Sequence, residues 1–218
     1  RTLLLVGGTT AILGAGAGAV ADGQLRSSGP ELWQRDDRSG APRVSGLHLQ
    51  YGADASSEVV VSWHTVVGVG NPRVMFGTPG EGFGDTVAAE TVTYRDAQSN
   101  TEIRVHHARL TGLLPDTEYV YAAVHDGASP ELGTARTAPR GRAHLRFTSF
   151  GDQSTPTLDA MVAQAFGSDS LGSPAAGDIT TAVENVRPLF NLVNGDLCYA
   201  NLSGDRVRTW SNWFENNS

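Results

Sequence analysis

The chain of 218 residues is 39% hydrophobic and carries a formal net charge of −7. It is long enough for one or two domains with hydrophobic cores. The negative charge argues against a nucleic-acid-binding protein, which would normally present a basic face. Cys198 is the single cysteine, which excludes an internal disulfide, so the fold must be stabilised by its core.

The first 21 residues have the composition of an export signal. They contain no acidic residue, are rich in Leu, Gly and Ala, and end in the small-x-small pattern Ala19-Val20-Ala21. We therefore expect residues 1–21 to be a signal-peptide remnant, with Arg1 as the second residue of a twin-arginine pair. The protein would then be exported, to the medium or the cell envelope, with no membrane span in the mature chain. The alternative is a membrane anchor, because about twenty apolar residues can just span a bilayer.

Residues 22–42 show no hydrophobic period and are predicted to form a linker or wrapping arm. Residues 43–140 have the pattern of an all-β domain. Short strands such as 59–65 and 102–110 are separated by Gly and Pro turn signals, which predicts a β-sandwich. The segment 113–121 resembles the tyrosine corner of fibronectin type III domains, in which the Tyr119 hydroxyl would bond to nearby backbone. This resemblance implies that Trp63 is the Trp in the core of the sandwich.

Two strand-Gly-Asp units follow in residues 141–218. Residues 145–150 are predicted to form a strand that ends in Gly151-Asp152, and the apolar run 190–193 predicts a short buried strand before Gly195-Asp196. Helices are predicted over 157–166, over 178–186 with Asp178 as N-cap, and over 205–215. The predicted fold class is therefore a fibronectin type III-like β-sandwich followed by the first part of an α/β domain.

The two units would place Asp152 and Asp196 at one edge of a parallel sheet, where α/β proteins bind ligands. Neighbouring strands lie about 4.8 Å apart. Unpaired carboxylates at that separation repel each other unless a cation or proton lies between them. Tyr199 adds a phenol three residues after Asp196. Clustered oxygen donors suit a hard metal ion, so the pattern predicts a metal site.

Gly151-Asp152-Gln153 and Gly195-Asp196-Leu197-Cys198-Tyr199 resemble the first two metal-binding blocks of the purple acid phosphatases, within the metallophosphoesterase superfamily. The exported actinobacterial type is the most similar, and the resemblance covers residues 43–218. It implies that Asp152 and Tyr199 bind ferric iron and that Asp196 bridges to a second divalent metal, Zn, Mn or Fe. It also implies that the later ligands and the general acid lie beyond Ser218, so we expect this portion alone to be inactive.

The function that the resemblance implies is hydrolysis of phosphate monoesters, with a phosphorylated small molecule or peptide as substrate. Two alternatives stay open. One is a phosphodiesterase of the same superfamily. The other is an adhesion or binding module, in which the Gly-Asp pairs are ordinary turns. No pattern in the sequence indicates substrate-binding residues or an oligomeric state.

The remaining candidate residues have structural interpretations. His106 and His107 are adjacent on a strand and would point to opposite faces, so they cannot chelate one ion. His64 is expected to face solvent, and Cys198 to point into the core. Three isolated histidines are interpreted as surface residues: His48, His125 and His144.

Overall fold

The computed structural model describes residues 40–155, 173, 175–203 and 205–217. The strands in these ranges are β1 (Ser45–Tyr51), β2 (Val59–Thr65), β3 (Arg73–Gly77), β4 (Asp85–Ala88), β5 (Glu90–Arg95), β6 (Glu102–Leu110), β7 (Glu118–Val124), β8 (Glu131–Arg136), β9 (Phe147–Phe150) and β10 (Phe190–Val193). The helices are α1 (Ala175–Val186), α2 (Arg206–Asn216) and a short 3-10 helix, Ala200–Leu202. None of the helices in this part of the chain is long and apolar enough to cross a membrane.

Several sequence-based predictions fall on residues that the structure does not describe. These are the signal over 1–21, most of the linker or arm over 22–42, and the helix over 157–166. Ser218 also lies outside the described residues, as do the general acid and later ligands expected beyond it. Those expectations therefore stay predictions.

Strands β1 to β8 form two antiparallel sheets of four strands each. One sheet has the order β1-β2-β6-β5 and the other β4-β3-β7-β8. One hydrophobic cluster joins them, with Trp63 and Leu110 from the first sheet and Val74 and Tyr121 from the second. The predicted β-sandwich is confirmed, and Trp63 is fully buried in its core.

Tyr119 forms the corner contact that the sequence predicts. Its hydroxyl oxygen accepts a hydrogen bond from the backbone N–H of Leu114 at 2.8 Å. Thr137, just after β8, donates its hydroxyl to the Leu114 carbonyl at 2.6 Å and accepts from the Thr117 N–H at 3.0 Å. These bonds satisfy backbone groups that would otherwise be left without partners inside the loop. They tie the loop before β7 to the end of β8.

Strands β9 and β10 form a separate two-stranded sheet, and they are parallel, as predicted. Phe147 lies opposite Phe190, and Phe150 lies opposite Val193. The predicted burial of β10 is wrong, because Leu192 and Val193 are 46% and 36% exposed. A parallel strand is buried only when helices cover both faces of its sheet, and α2 packs on β1 instead.

Helix α1 begins three residues before its predicted start. Asp178, the predicted N-cap, lies in the first turn of a helix that begins at Ala175. Ser173 provides the contacts expected of a cap: its hydroxyl accepts from the Ala175 N–H at 3.3 Å, and its carbonyl accepts from the Ala176 N–H at 2.9 Å. The carboxylate of Asp178 is still favourable there, because the first turn carries the positive end of the helix dipole.

Helix α2 packs against the outer face of the sandwich. The ring of His48 on β1 stacks on Phe214 with centroids 4.1 Å apart, and His64 Nε2 lies 2.9 Å from the Ser211 hydroxyl. The prediction that His64 faces solvent is therefore wrong. All seven residues of β2 are buried, since the opposite sheet covers one face and α2 covers the other at His64.

His125 is also buried, contrary to its interpretation as a surface residue. It is fully inaccessible, and its Nε2 donates to the Pro42 carbonyl at 2.8 Å. His106 is buried as well and lies 2.8 Å from the Thr91 hydroxyl, while His107 bonds to a serine of β2. His106 and His107 thus make hydrogen bonds within the sandwich, and His125 bonds to the segment before β1.

Candidate metal centre

The loops that follow β9 and β10 meet at the carboxyl edge of the parallel sheet. The Asn194 N–H donates to the Phe150 carbonyl at 2.8 Å. A Cβ at Gly151 would lie 3.3 Å from the Gly195 carbonyl oxygen, so glycine at this position lets the loops approach closely. Gly195 has a φ of 89°, a left-handed conformation that glycine adopts without steric cost.

The three predicted ligand residues lie together in these loops. The Tyr199 hydroxyl donates a hydrogen bond to the Asp152 carboxylate and lies 3.4 Å from Asp196 Oδ2. The donor set therefore consists of two carboxylates and a phenol. Oxygen donors of this kind suit hard cations and not soft ones.

All three residues have a left-handed backbone conformation. The φ angles are 55° at Asp152, 46° at Asp196 and 53° at Tyr199. Residues other than glycine rarely adopt this region, and such conformations persist where the surrounding structure enforces them, often at functional sites. Here they turn the chain sharply after each strand.

Gln153 anchors the loop that carries Asp152. Its side chain is 3% exposed, and its Nε2 donates to the Thr180 hydroxyl on α1 at 3.1 Å and to Asn217 Oδ1 after α2 at 2.8 Å. Asn216 Nδ2 also donates to the Thr180 hydroxyl, at 2.9 Å. The residue next to Asp152 is thus held by both helices.

The two carboxylates favour a neutral Tyr199. The hydrogen bond to Asp152, some desolvation and the negative charges of Asp152 and Asp196 raise the pKa of Tyr199 to about 12. A phenolate at this position therefore requires the positive charge of a cation nearby. The arrangement fits a metal ion bound by all three oxygen groups.

Other potential ligands point elsewhere. Across the described residues there is no group of three or more His, Cys, Asp and Glu that could hold a metal ion, so the candidate set depends on Tyr199. Cys198 is buried in a cluster with Ala200 and Trp213, as predicted. Asp205 caps α2 by accepting from a backbone N–H in its first turn at 3.0 Å.

A cavity of about 430 Å³ adjoins the candidate ligands. Asp196 and Tyr199 contribute to one wall, and the edge strand β5 and the residue after it supply Tyr94 and Asp96 on the sandwich side. Arg206, the first residue of α2, also lines it. The sequence-based predictions missed these sandwich and helix residues, because no local pattern links Tyr94 to a loop that follows a different domain.

Comparison with known proteins identifies the first part of the chain. Residues 44–137 match the family described as purple acid phosphatase, N-terminal domain. The solved structure of purple acid phosphatase PPD1 from yellow lupin (Lupinus luteus) seeds has a TM-score of 0.60 and 20% identity, covering 79% of this chain and 32% of that one. The N-terminal portion of this chain is purple acid phosphatase-like.

The chain also matches two curated relatives from Mycobacterium tuberculosis, strains CDC 1551 and H37Rv, both described as uncharacterized proteins. Each is 63% identical over 220 residues, which is 100% of this chain and 42% of the relative. The chain therefore spans about two-fifths of the length of these relatives. The likeness to the lupin enzyme, at its level of identity, shows a shared fold.

Proposed function

We propose that the whole protein hydrolyses phosphate monoesters at a binuclear metal centre, as a metal-dependent phosphatase of the purple acid phosphatase type. The observation that carries the proposal is the meeting of Asp152, Asp196 and Tyr199 at the edge of the parallel sheet. The purple acid phosphatase-like N-terminal portion supports it independently. The substrate would be a phosphorylated small molecule or peptide, and the protein would act after export.

In this proposal Asp152 and Tyr199 hold a ferric ion, and Asp196 bridges it to a divalent ion, Zn, Mn or Fe. The donor set fits, because these oxygen groups lie close enough to repel one another when ionised without a cation. Two bound metal ions would clamp the phosphoryl group and stabilise the charge of the transition state. The remaining ligands and the general acid, expected beyond Ser218, would come from the further length that the relatives have.

The contribution of this chain is to orient its three oxygen groups before any metal binds. Gly151 and Gly195 allow the two loops to meet, and the Gln153 contacts fix the first loop against both helices. We assign β9, α1 and β10 to the start of an α/β metallophosphoesterase domain. The sandwich would be of the fibronectin type III-like class, for which the Tyr119 corner is the supporting contact.

The test uses the full-length protein loaded with iron and a divalent metal. Wild type should release phosphate from phosphate monoesters and show a visible absorption band from the iron–phenolate contact. Tyr199→Phe should lose the band while the protein stays folded. Tyr51→Phe is the matched control, because that hydroxyl bonds to the Arg136 carbonyl in the sandwich. A band that survives in Tyr199→Phe, or a loaded protein that hydrolyses no monoester, would contradict the proposal.

A further inference from the structure

We propose that the cavity between β5 and the Asp196–Tyr199 loop is a subsite for an aromatic leaving group of the phosphate ester. The inference rests on the proposed function and deepens it by naming a substrate class. At about 430 Å³ the cavity is within the range of small-molecule sites, which is about 300–1,000 Å³. Asp196 and Tyr199 line it, so a phosphoryl group bound at the metal centre that these residues would hold would have its leaving group beside the cavity.

Two aromatic side chains line the cavity from different parts of the fold. Tyr94 lies on the edge strand β5 with 48% of its surface exposed. Trp210 lies on α2, where it is held by Trp213 with ring centroids at 6.1 Å and by Phe214 at 5.7 Å. Aromatic rings favour other aromatic groups in offset-stacked or edge-to-face contact. The cavity therefore presents fixed and accessible surfaces for a planar ring.

Arg206 adds a planar cation to the same cavity. Its Nη1 lies 3.8 Å from Asp96 Oδ1, and Asp96 is itself held by the Ser99 N–H and hydroxyl, both at 2.7 Å. The Nε of Arg206 is buried and has no hydrogen-bond partner among the described residues. A guanidinium stacks on aromatic faces and donates in its own plane, so Arg206 can contact both a ring and a polar substituent on it.

These contacts give the sandwich a direct part in substrate selection. Tyr94 belongs to the sandwich and Asp96 directly follows its strand β5, whereas the candidate metal ligands follow β9 and β10. An ester with a small aliphatic leaving group would leave the aromatic walls without a partner. Aromatic phosphate monoesters should therefore be favoured over aliphatic ones through contacts that do not touch the phosphoryl group.

The experiment compares phenyl phosphate with glycerol 2-phosphate on the full-length, metal-loaded protein. In Tyr94→Ala the ratio of the two kcat/KM values should fall about three- to tenfold, the effect expected for one aromatic contact. Arg206→Gln should lower the same ratio. Val92→Ala is the matched control, because Val92 lies two residues away on β5, is 50% exposed and is not part of the cavity lining. Its ratio should equal that of wild type.

Calorimetric binding of phenylphosphonate and methylphosphonate gives a readout that does not depend on turnover. Phenylphosphonate should bind more tightly than methylphosphonate in wild type, and Tyr94→Ala should remove most of that difference. An unchanged kcat/KM ratio in both Tyr94→Ala and Arg206→Gln, or an equal loss in Val92→Ala, would overturn the subsite. Tyr94-dependent binding without hydrolysis of any ester would support the aromatic site and contradict the proposed phosphatase.

Discussion

His64 Nε2 on β2 of the sandwich lies 2.9 Å from the hydroxyl of Ser211 on α2, although the two residues are 147 positions apart. Burial, aided by the positive charges of His48 and Arg43, lowers the pKa of His64 to about 4. The imidazole is therefore neutral near pH 7. This neutral contact, together with the stacking of His48 on Phe214, attaches the segment after β10 to the sandwich.

The buried histidines predict a loss of stability in mild acid. Burial also lowers the pKa of His106 to about 4, from an ordinary value of 6.5. Between these values the unfolded chain binds more protons than the folded chain, so stability is complete above pH 6.5 and falls as the pH drops towards 4. We expect each of the two histidines to lower the free energy of unfolding by on the order of 2 kcal/mol between about pH 7 and 4.5. Urea denaturation at a series of pH values measures it.

His64→Gln should flatten part of this pH dependence, because one depressed pKa is removed. The control is His144→Gln, which changes an exposed histidine and should leave the slope as in wild type. Equal slopes in wild type and His64→Gln would show that burial does not lower the pKa of the His64 imidazole.

Gly46 is predicted to be needed where α2 packs against the sandwich. Its φ is 62°, and a Cβ there would lie 2.6 Å from two atoms of the His64 ring and 3.3 Å from Phe214 Cδ2. Gly46→Ala should therefore destabilise the protein by about 2 kcal/mol more than Gly112→Ala, through overpacking. Gly112 is the matched control, because it has a φ of 71° but nothing within 4 Å of its added Cβ. Equal urea midpoints for the two variants would contradict the packing of α2 on β1.

Tyr119→Phe should lower the stability of the sandwich by about 1 kcal/mol, since the Leu114 N–H loses its acceptor. Tyr94→Phe controls for removal of a hydroxyl from an exposed ring on β5 and should have little effect. The change in free energy of unfolding, from guanidinium titrations of both variants, decides the matter. A midpoint for Tyr119→Phe equal to that of wild type would argue against the corner.

Asp196→Asn is predicted to have a larger effect on metal content than Asp152→Asn in the full-length protein. In the proposed centre the Asp196 carboxylate would lie between both ions, and without its charge their mutual repulsion would rise. We expect Asp196→Asn to lose both metals and nearly all phosphatase activity, and Asp152→Asn to lose iron preferentially. Elemental analysis gives the stoichiometry, with Asp178→Asn on α1 as the control. If Asp196→Asn keeps two metals and full activity, Gly195-Asp196 is an ordinary turn and not part of a metal site.

Local patterns in the sequence were sufficient for several of the strands and for the grouping of the candidate ligands. The predicted strands 59–65 and 102–110 have the bounds of β2 and β6, because residue types that alternate or favour strands act within a few positions. The two Gly-Asp units predicted the parallel pair and the proximity of Asp152 and Asp196 for a similar reason. The break after each strand is determined by neighbouring residues, and the long helix-containing connection between the two strands is what a parallel pair requires.

Contacts between distant segments were decided only by the tertiary structure. His64 and His125 are polar residues whose burial no local pattern indicates. Helix α2 covers His64, and His125 bonds to the Pro42 carbonyl. Leu192 has the composition of a buried residue and is nevertheless exposed, because no described layer covers its sheet. The cavity that joins Tyr94 to the Asp196 loop follows from how α2 lies on the sandwich. The sequence alone encodes the side chains that meet there, but their meeting depends on packing between surfaces that are far apart along the chain.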